Sequence, residues 1–362
     1  MRMHGGDVWQ VAEELGIEAS ELLDFSANIN PRGLPPRAAE TLAHYAANTR
    51  LLSMYPDPSA RRLRMALGRK VGVPSEAIVV GPGAEALLNP ALRSNPAQRA
   101  MVPIPAFSEY RRVCAQERIE FVPFLLDRAK CFRLPVDDVC RSIAGGQFEV
   151  IFLNNPHNPS GALLDASEVR RILDAARATR AMVLLDEAFI DYVPQATLAI
   201  DAAARPGLVV IRSLTKFYGC PALRAGYLIA HPDTARRIAS FLPAWPITQL
   251  AIDAFAEAVE DREYTEVTLR DNTMEREALT QLLQGLGLLV FPSAANYLLF
   301  ELTPGMSTAS ELCSRMIRRR ILVRNCDSYE GLAPGRYVRV AVRSASENLR
   351  LIQALSEELE ER

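Results

Sequence analysis

The chain has 362 residues, 49% of them hydrophobic and 23% charged, with a formal net charge of −2. It exceeds one simple domain and supplies a sizeable core, which argues against disorder. Acidic and basic residues are mixed along the sequence, so there is no electrostatic footprint for nucleic acid or another polyanion.

The first residues, Met1-Arg2-Met3-His4-Gly5-Gly6-Asp7, lack an apolar signal core, and no run approaches about 18 uncharged apolar residues. A cytoplasmic protein without membrane contact is expected. Over residues 1–45, Val8 to Leu15 has a helical pattern and Asn28-Ile29-Asn30-Pro31-Arg32-Gly33 is rich in turn formers; the segment is expected to pack on the C-terminal domain. From about residue 77 to 230, short runs rich in Val and Ile alternate with helix-permissive stretches: Ala77 to Val80, Ala100 to Pro103, Val150 to Leu153, Ala181 to Leu185 and Leu208 to Ile211. Without strict alternation, such runs suit strands buried on both faces of a mostly parallel sheet, with Ala166 to Arg180 as a crossover helix. This makes an α/β protein whose loops at the strand ends are the natural ligand positions. Residues 251 to 286 read as one long helical region. Beyond it, strands are expected at Leu288 to Val290, Asn296 to Phe300, Ile321 to Val323 and Tyr337 to Val342, and helices at Glu311 to Arg320 and Ser346 to Glu361, with Ser346 as N-cap. The division is a segment 1–45, a large domain 46–265 and a small domain 266–362. Cys114, Cys131, Cys140, Cys220, Cys313 and Cys326 show neither CxxC nor Cys/His ligand spacing, so no metal and no disulfide framework is expected.

Lys216 lies in Ser213-Leu214-Thr215-Lys216-Phe217-Tyr218-Gly219, downstream of Val183-Leu184-Leu185-Asp186-Glu187, and Arg224 follows it. An uncharged lysine amine attacks an aldehyde, and Ser213 and Arg224 are suited to a phosphate oxygen. Asp186 ends an apolar run, where an unpaired carboxylate is costly and needs a cationic or proton-bearing partner; Glu187 competes for that role, and the flanking leucines do not separate the two. These are the requirements of a pyridoxal phosphate site. Gly81-Pro82-Gly83-Ala84-Glu85 follows a strand, and its backbone amides can cradle phosphate. The Glu85 carboxylate would be repelled there and is expected to turn away. Asn158, between Pro156 and Pro159, can present an amide donor, and Phe107 can stack on a flat ring or serve as core. His157 reads as an exposed loop histidine titrating near neutrality. Arg339 and Arg343, four apart on a strand, are expected to face the same side and, with Arg324, to address anionic groups of a substrate. His4-Gly5-Gly6 is a candidate anion-binding lid.

In order and spacing, these motifs resemble the fold-type I pyridoxal-phosphate enzymes related to class II aminotransferases. His4-Gly5-Gly6-Asp7, Asp24-Phe25-Ser26-Ala27-Asn28-Ile29-Asn30-Pro31, Asp186-Glu187-Ala188-Phe189-Ile190-Asp191 and the Arg324 and Arg339 to Arg343 segments look like the threonine-phosphate decarboxylase branch of cobalamin biosynthesis. Histidinol-phosphate aminotransferases are the nearest alternative. The resemblance implies a large domain with a mostly parallel seven-stranded sheet plus a smaller α/β domain, and pyridoxal 5′-phosphate as cofactor. It implies that Lys216 is joined to the cofactor aldehyde, that Asp186 pairs with the ring nitrogen, that Asn158 contacts the ring oxygen and that Phe107 stacks. Ser213, Arg224 and Gly83-Ala84-Glu85 match the phosphate cup. Tyr55 matches a tyrosine lent by the second subunit of a homodimer, Arg339 receives the substrate carboxylate, and His4, Asn30, Arg324 and Arg343 are candidates for the substrate phosphate. The implied reaction is decarboxylation of L-threonine O-3-phosphate to (R)-1-amino-2-propanol O-2-phosphate, with phosphoserine decarboxylation or transamination as alternatives. The sequence departs from the family pattern at Pro82, Glu85, His157, Phe189 and Gly219-Cys220-Pro221-Ala222; Phe189, where many aminotransferases carry a tyrosine, favours the decarboxylase branch.

Overall fold

Alternate residues of a strand point to opposite faces, so a run that is apolar throughout is stable only when both faces are covered. Five runs of this kind form the centre of the molecule in the computed structural model, which describes residues 5–360. They are Ile78–Gly81 (β2), Arg99–Ile104 (β3), Val150–Asn154 (β5), Met182–Asp186 (β6) and Leu208–Ser213 (β7), following a short Leu23–Asp24 strand (β1). Two further strands, Glu120–Leu125 (β4) and Gly226–Ala230 (β8), complete a seven-stranded sheet in the order β2-β8-β7-β6-β5-β3-β4. The register is parallel except at β8, which runs antiparallel to both β2 and β7. β4 lies at the sheet edge with Glu120, Pro123 and Leu125 exposed, whereas β8 is buried throughout and apolar after its opening glycine.

Sheet order places the C-terminal ends of β3, β5, β6 and β7 along one rim, where the turns following Ile104, Asn154, Asp186 and Ser213 converge. Helix Ala166–Thr179 connects β5 to β6, its first turn closed by a reciprocal Asp165–Glu168 capping box.

The helical region from 251 to 286 is two helices. Thr248 caps Gln249–Glu260, and Asp261 breaks the pattern by accepting a hydrogen bond from Tyr264 N at 2.9 Å to start Arg262–Gly285. Beyond it, Leu289–Val290 (β9), Tyr297–Glu301 (β10), Arg324–Asn325 (β12) and Tyr337–Ala341 (β13) form a second sheet in the order β12-β13-β10-β9. Ile321–Leu322 (β11) instead pairs in parallel with β1. The strand expected at Ile321 to Val323 therefore ends at Leu322, and after Val323 the chain enters the second sheet at Arg324. The last helix begins at Ala345, ahead of the expected cap at Ser346; Ser344 Oγ donates to Glu347 at 2.6 Å in that first turn.

The N-terminal segment touches both bodies. β1 and the helix Val8–Leu15 lie against the small one, through Val11, Ala12, Leu22 and Leu322, whereas helix Pro36–Ala47 runs through residue 45 and packs on Gln249–Glu260. Proline at its first position is compatible with a helix start because that N–H has no intrahelical acceptor. Among the described residues no helix is long and apolar enough to cross a membrane, and no group of His, Cys, Asp and Glu is placed to hold a metal ion. All six cysteines are free; Cys114, Cys313 and Cys326 are buried.

Candidate active site

A cavity of about 520 Å³ opens where the strand ends meet the second sheet and the N-terminal segment. Gly83, Ala84, Glu85, Phe107, Asn158, Asp186, Ser213, Lys216 and Arg224 line it from the large body. Ser26, Ala27 and Asn28 close it from the N-terminal segment, and Arg324, Tyr329 and Arg339 from the small one.

Lys216 is held on the turn after β7, partly buried, and lines this cavity. Burial pulls its amine pKa from 10.5 down to about 8, and the charges of Arg339 and Arg224 add to the shift against the opposing pull of Asp24 and Asp186. A useful fraction of neutral amine is thus present near neutral pH.

Asp186 and Glu187 diverge because they alternate at the end of β6. Asp186 faces the cavity, where its carboxylate accepts from Tyr110 Oη at 2.6 Å and from Ala188 N at 2.9 Å. Desolvation pushes its pKa up against these hydrogen bonds and Lys216. Glu187 lies on the far side, accepting from Thr197 Oγ1 at 2.6 Å and Leu198 N at 2.8 Å beside the buried Arg212 and Asp191. The carboxylate open to a ligand is Asp186.

The other end of the cavity is suited to an oxyanion. The hydroxyls of Ser213 and Thr215 lie 2.9 Å apart, both residues buried, with Arg224 beside them. Gly83 has φ +101°, and a Cβ there would stand 2.9 Å from Arg224 Nη2; a Cβ on Gly226 would stand 2.4 Å from Ala84 N. These glycines allow the loop, the guanidinium and β8 to close on one another. The Glu85 carboxylate does turn aside, to Arg112.

Asn158 Oδ1 accepts from Arg339 Nη1 at 2.5 Å and from Tyr329 Oη at 3.1 Å, while its amide nitrogen has no partner among the described residues. Arg339 is buried; it donates to Tyr329 Oη at 3.0 Å and to Ser26 O at 3.2 Å, and no carboxylate pairs with it among the described residues. Arg324 is its direct cross-strand partner in the β12–β13 register, so both arginines project from the same face. Phe107 lines the cavity edge-on to Tyr110, and Phe189 packs edge-on to Tyr297 with ring centroids 4.9 Å apart.

Several expected positions lie elsewhere. Arg343 follows the end of β13, where strand alternation no longer applies; it donates to Asp24 O at 3.1 Å and Glu347 at 2.6 Å and borders a separate cavity. Asn30 also borders that second cavity. Its Nδ2 donates to Phe217 O at 2.8 Å and Tyr264 Oη at 2.9 Å, and its N–H donates to Lys216 O at 3.0 Å, so it secures the lysine turn from behind. Tyr55 is 79% exposed and stacks on Trp245, away from the cavity of its own chain. His157 is buried rather than exposed: it bridges Ser160 Oγ at 2.7 Å and Pro105 O at 2.8 Å, and burial pulls its pKa down to about 4. His4 lies outside the described residues, although Gly5 reaches the cavity rim. Sequence reasoning missed Tyr110, Thr215 and Tyr329 as site residues. Tyr110 stands one helical turn after Phe107, a spacing that could have revealed it; nothing local marks Tyr329.

The donor set fits pyridoxal 5′-phosphate: a depressed lysine amine, a desolvated carboxylate with only neutral donors against it, and a small hydroxyl, amide and guanidinium cup for a phosphate. Threonine-phosphate decarboxylase of Salmonella typhimurium is 37% identical over 97% of this chain and 95% of its own length. Histidinol-phosphate aminotransferase of Methanococcus aeolicus is 31% identical over 96% of this chain and 93% of its own. The crystal structure of L-threonine-O-3-phosphate decarboxylase from Porphyromonas gingivalis superposes with a TM-score of 0.80 at 26% identity, covering 94% of this chain and 100% of that one. Residues 20–355 match the model for aminotransferase class I and II, and with the site built as above the chain belongs to that family of pyridoxal-phosphate enzymes.

Proposed function

We propose that this protein decarboxylates L-threonine O-3-phosphate, releasing carbon dioxide and (R)-1-amino-2-propanol O-2-phosphate, as a cytoplasmic enzyme of cobalamin biosynthesis. The observation that carries the reading is the cross-strand pair Arg324 and Arg339, two guanidiniums directed from one face into the Lys216 cavity. Two guanidiniums presented on one wall of the cavity suit a substrate that bears both a carboxylate and a phosphate. In this reading Arg339, already oriented by Asn158, Tyr329 and Ser26 O, takes the carboxylate, and Arg324 addresses the phosphate.

The bound cofactor supplies an aldehyde for amine exchange and a conjugated cationic ring that accepts the electron pair left by cleavage at Cα. Lys216, with its amine pKa lowered to about 8, would be the residue that holds the cofactor aldehyde and the base nearest the substrate Cα. Asp186, steadied by Tyr110 and Ala188 N, would pair with the ring nitrogen and favour its protonated form. The amide of Asn158 would donate to the ring oxygen, Phe107 would cover the ring, and Ser213, Thr215, Arg224 and the Gly83 to Glu85 backbone would hold the cofactor phosphate. By fixing the substrate carboxylate, Arg339 would orient the substituents of Cα and so favour loss of the carboxylate over loss of the Cα hydrogen. Phe189 contributes no hydroxyl to the ring oxygen and leaves that contact to Asn158.

The exposed Tyr55–Trp245 stack, beside the exposed Met54, favours a homodimer in which Tyr55 enters the partner's site. A histidinol-phosphate-type aminotransferase is the second reading, supported by the Methanococcus aeolicus relative. Incubating the purified protein with phosphothreonine and measuring carbon dioxide against keto acid separates the two. Carbon dioxide with the amino-alcohol phosphate is expected; keto acid formed without carbon dioxide would assign the transaminase, and phosphoserine in parallel tests the need for the substrate methyl group.

A further inference from the structure

Glu85 places a carboxylate in the wall of the cavity, next to Gly83 and Ala84 in sequence, and Arg224 lines the same cavity. The same wall carries a second acid, Glu109, and one arginine, Arg112, that binds both: Arg112 Nη2 pairs with Glu85 and Nε with Glu109, three residues earlier on the same helix. The Glu109 side chain is only 8% exposed, whereas those of Glu85 and Arg112 are 38% and 42% exposed. The buried acid therefore anchors the guanidinium, and the anchored guanidinium draws Glu85 away from Ser213, Thr215 and Arg224. A dianion entering that cup without Arg112 would meet the Glu85 carboxylate released from its partner on its flank.

We propose that Arg112 is an affinity-determining residue for the phosphorylated cofactor, acting through Glu85: it holds the Glu85 carboxylate off the phosphate cup, so the affinity depends on Arg112 only while Glu85 is present. The inference rests on the pyridoxal phosphate reading of the cavity and adds to it a coupling between two side chains.

The test uses the full-length wild type, Arg112→Gln, Glu85→Gln and the double variant, each stripped of cofactor and titrated with pyridoxal 5′-phosphate and, separately, with pyridoxal. Binding is read from the absorbance of the lysine-linked cofactor. Arg112→Gln is expected to raise the dissociation constant for pyridoxal phosphate about tenfold, the size of one partly screened charge repulsion across several ångströms. In the Glu85→Gln background the same change is expected to shift it by less than about twofold, and pyridoxal, without a phosphate, by less than about twofold in every protein. An equal loss in both backgrounds, or an equal loss for pyridoxal, overturns the proposal. Should Arg112→Gln fail to fold, Glu85→Gln alone decides: tighter or unchanged binding of pyridoxal phosphate supports the proposal, and weaker binding overturns it. A wild type that forms no lysine-linked cofactor sinks the cofactor reading itself, a result distinct from additive variants in a wild type that binds.

Discussion

The two halves of the active-site cavity are built differently. The half around Lys216, Asp186 and Ser213 sits on consecutive ends of buried parallel strands, so each side chain is placed by its own strand and the turn that follows. The half around Arg339 is assembled from distant parts of the chain: its guanidinium is held by Asn158 from the large body and by Ser26 O from the N-terminal segment. The first half depends on local geometry and a rigid sheet. The second exists only when three separate segments dock, which makes it the part of the site that can diverge in substrate while the cofactor chemistry stays the same.

Replacing Lys216 by Ala is the most severe way to break the first half. Turnover is expected to fall by at least about a thousandfold, the range over which a lost proton-transferring group acts. The chain has only three lysines, Lys70, Lys130 and Lys216, so borohydride reduction followed by peptide mapping gives an unambiguous address for the cofactor. Label on Lys70 or Lys130 would remove Lys216 from its assigned place.

The second half is best probed by contrast. Arg339→Gln should lower kcat/KM roughly a hundredfold, since a charge-assisted pair to a substrate carboxylate is lost. Arg343→Gln, whose side chain turns to Asp24 O and Glu347, should change it less than about threefold. Comparable losses would mean that the cavity admits the substrate from the Arg343 side.

Asn30 joins the two halves, because the N-terminal segment that supplies Ser26 also braces the lysine turn. Asn30→Ala removes the buried Nδ2 donor to Phe217 O and Tyr264 Oη, and a loss of about 2 kcal/mol in unfolding free energy is expected, measured by denaturant titration. An unchanged midpoint would show that the brace contributes nothing.

The smallest effect concerns pH. His157 titrates at about 4 in the folded chain against 6.5 in an exposed one. Between these values the unfolded chain takes up a proton that the folded chain refuses, so His157 costs stability as pH falls from about 6.5 to about 4, with no further loss below. A His157→Asn protein should lose less of its melting temperature across that interval than the wild type; identical slopes would show that the imidazole is charged in the fold.

Much of this was legible in the sequence where one element decides the outcome. The central strands announce themselves because burial on both faces demands uninterrupted apolar residues, and Asp186, Ser213 and Lys216 are found by following those strands to their ends. The edge strand Glu120–Leu125 is half exposed and carries no such demand. The helix Pro36–Ala47 hides behind a proline that serves equally for a turn. Arg343 was placed beside Arg339 by extending strand alternation past Ala341, where the strand stops.

The sequence by itself therefore determined the α/β class and the apolar sheet, and it singled out Lys216 and the Asp186–Glu187 pair as candidates, because each follows from local burial and residue chemistry. Only the tertiary structure decided that Asp186 and not Glu187 meets the cavity, that Arg324 replaces Arg343 beside Arg339, that Asn30 braces the lysine turn and that Tyr110 and Tyr329 complete the site. Those choices depend on strand register and on which distant segments dock, and neither is written in the spacing of any single stretch of chain.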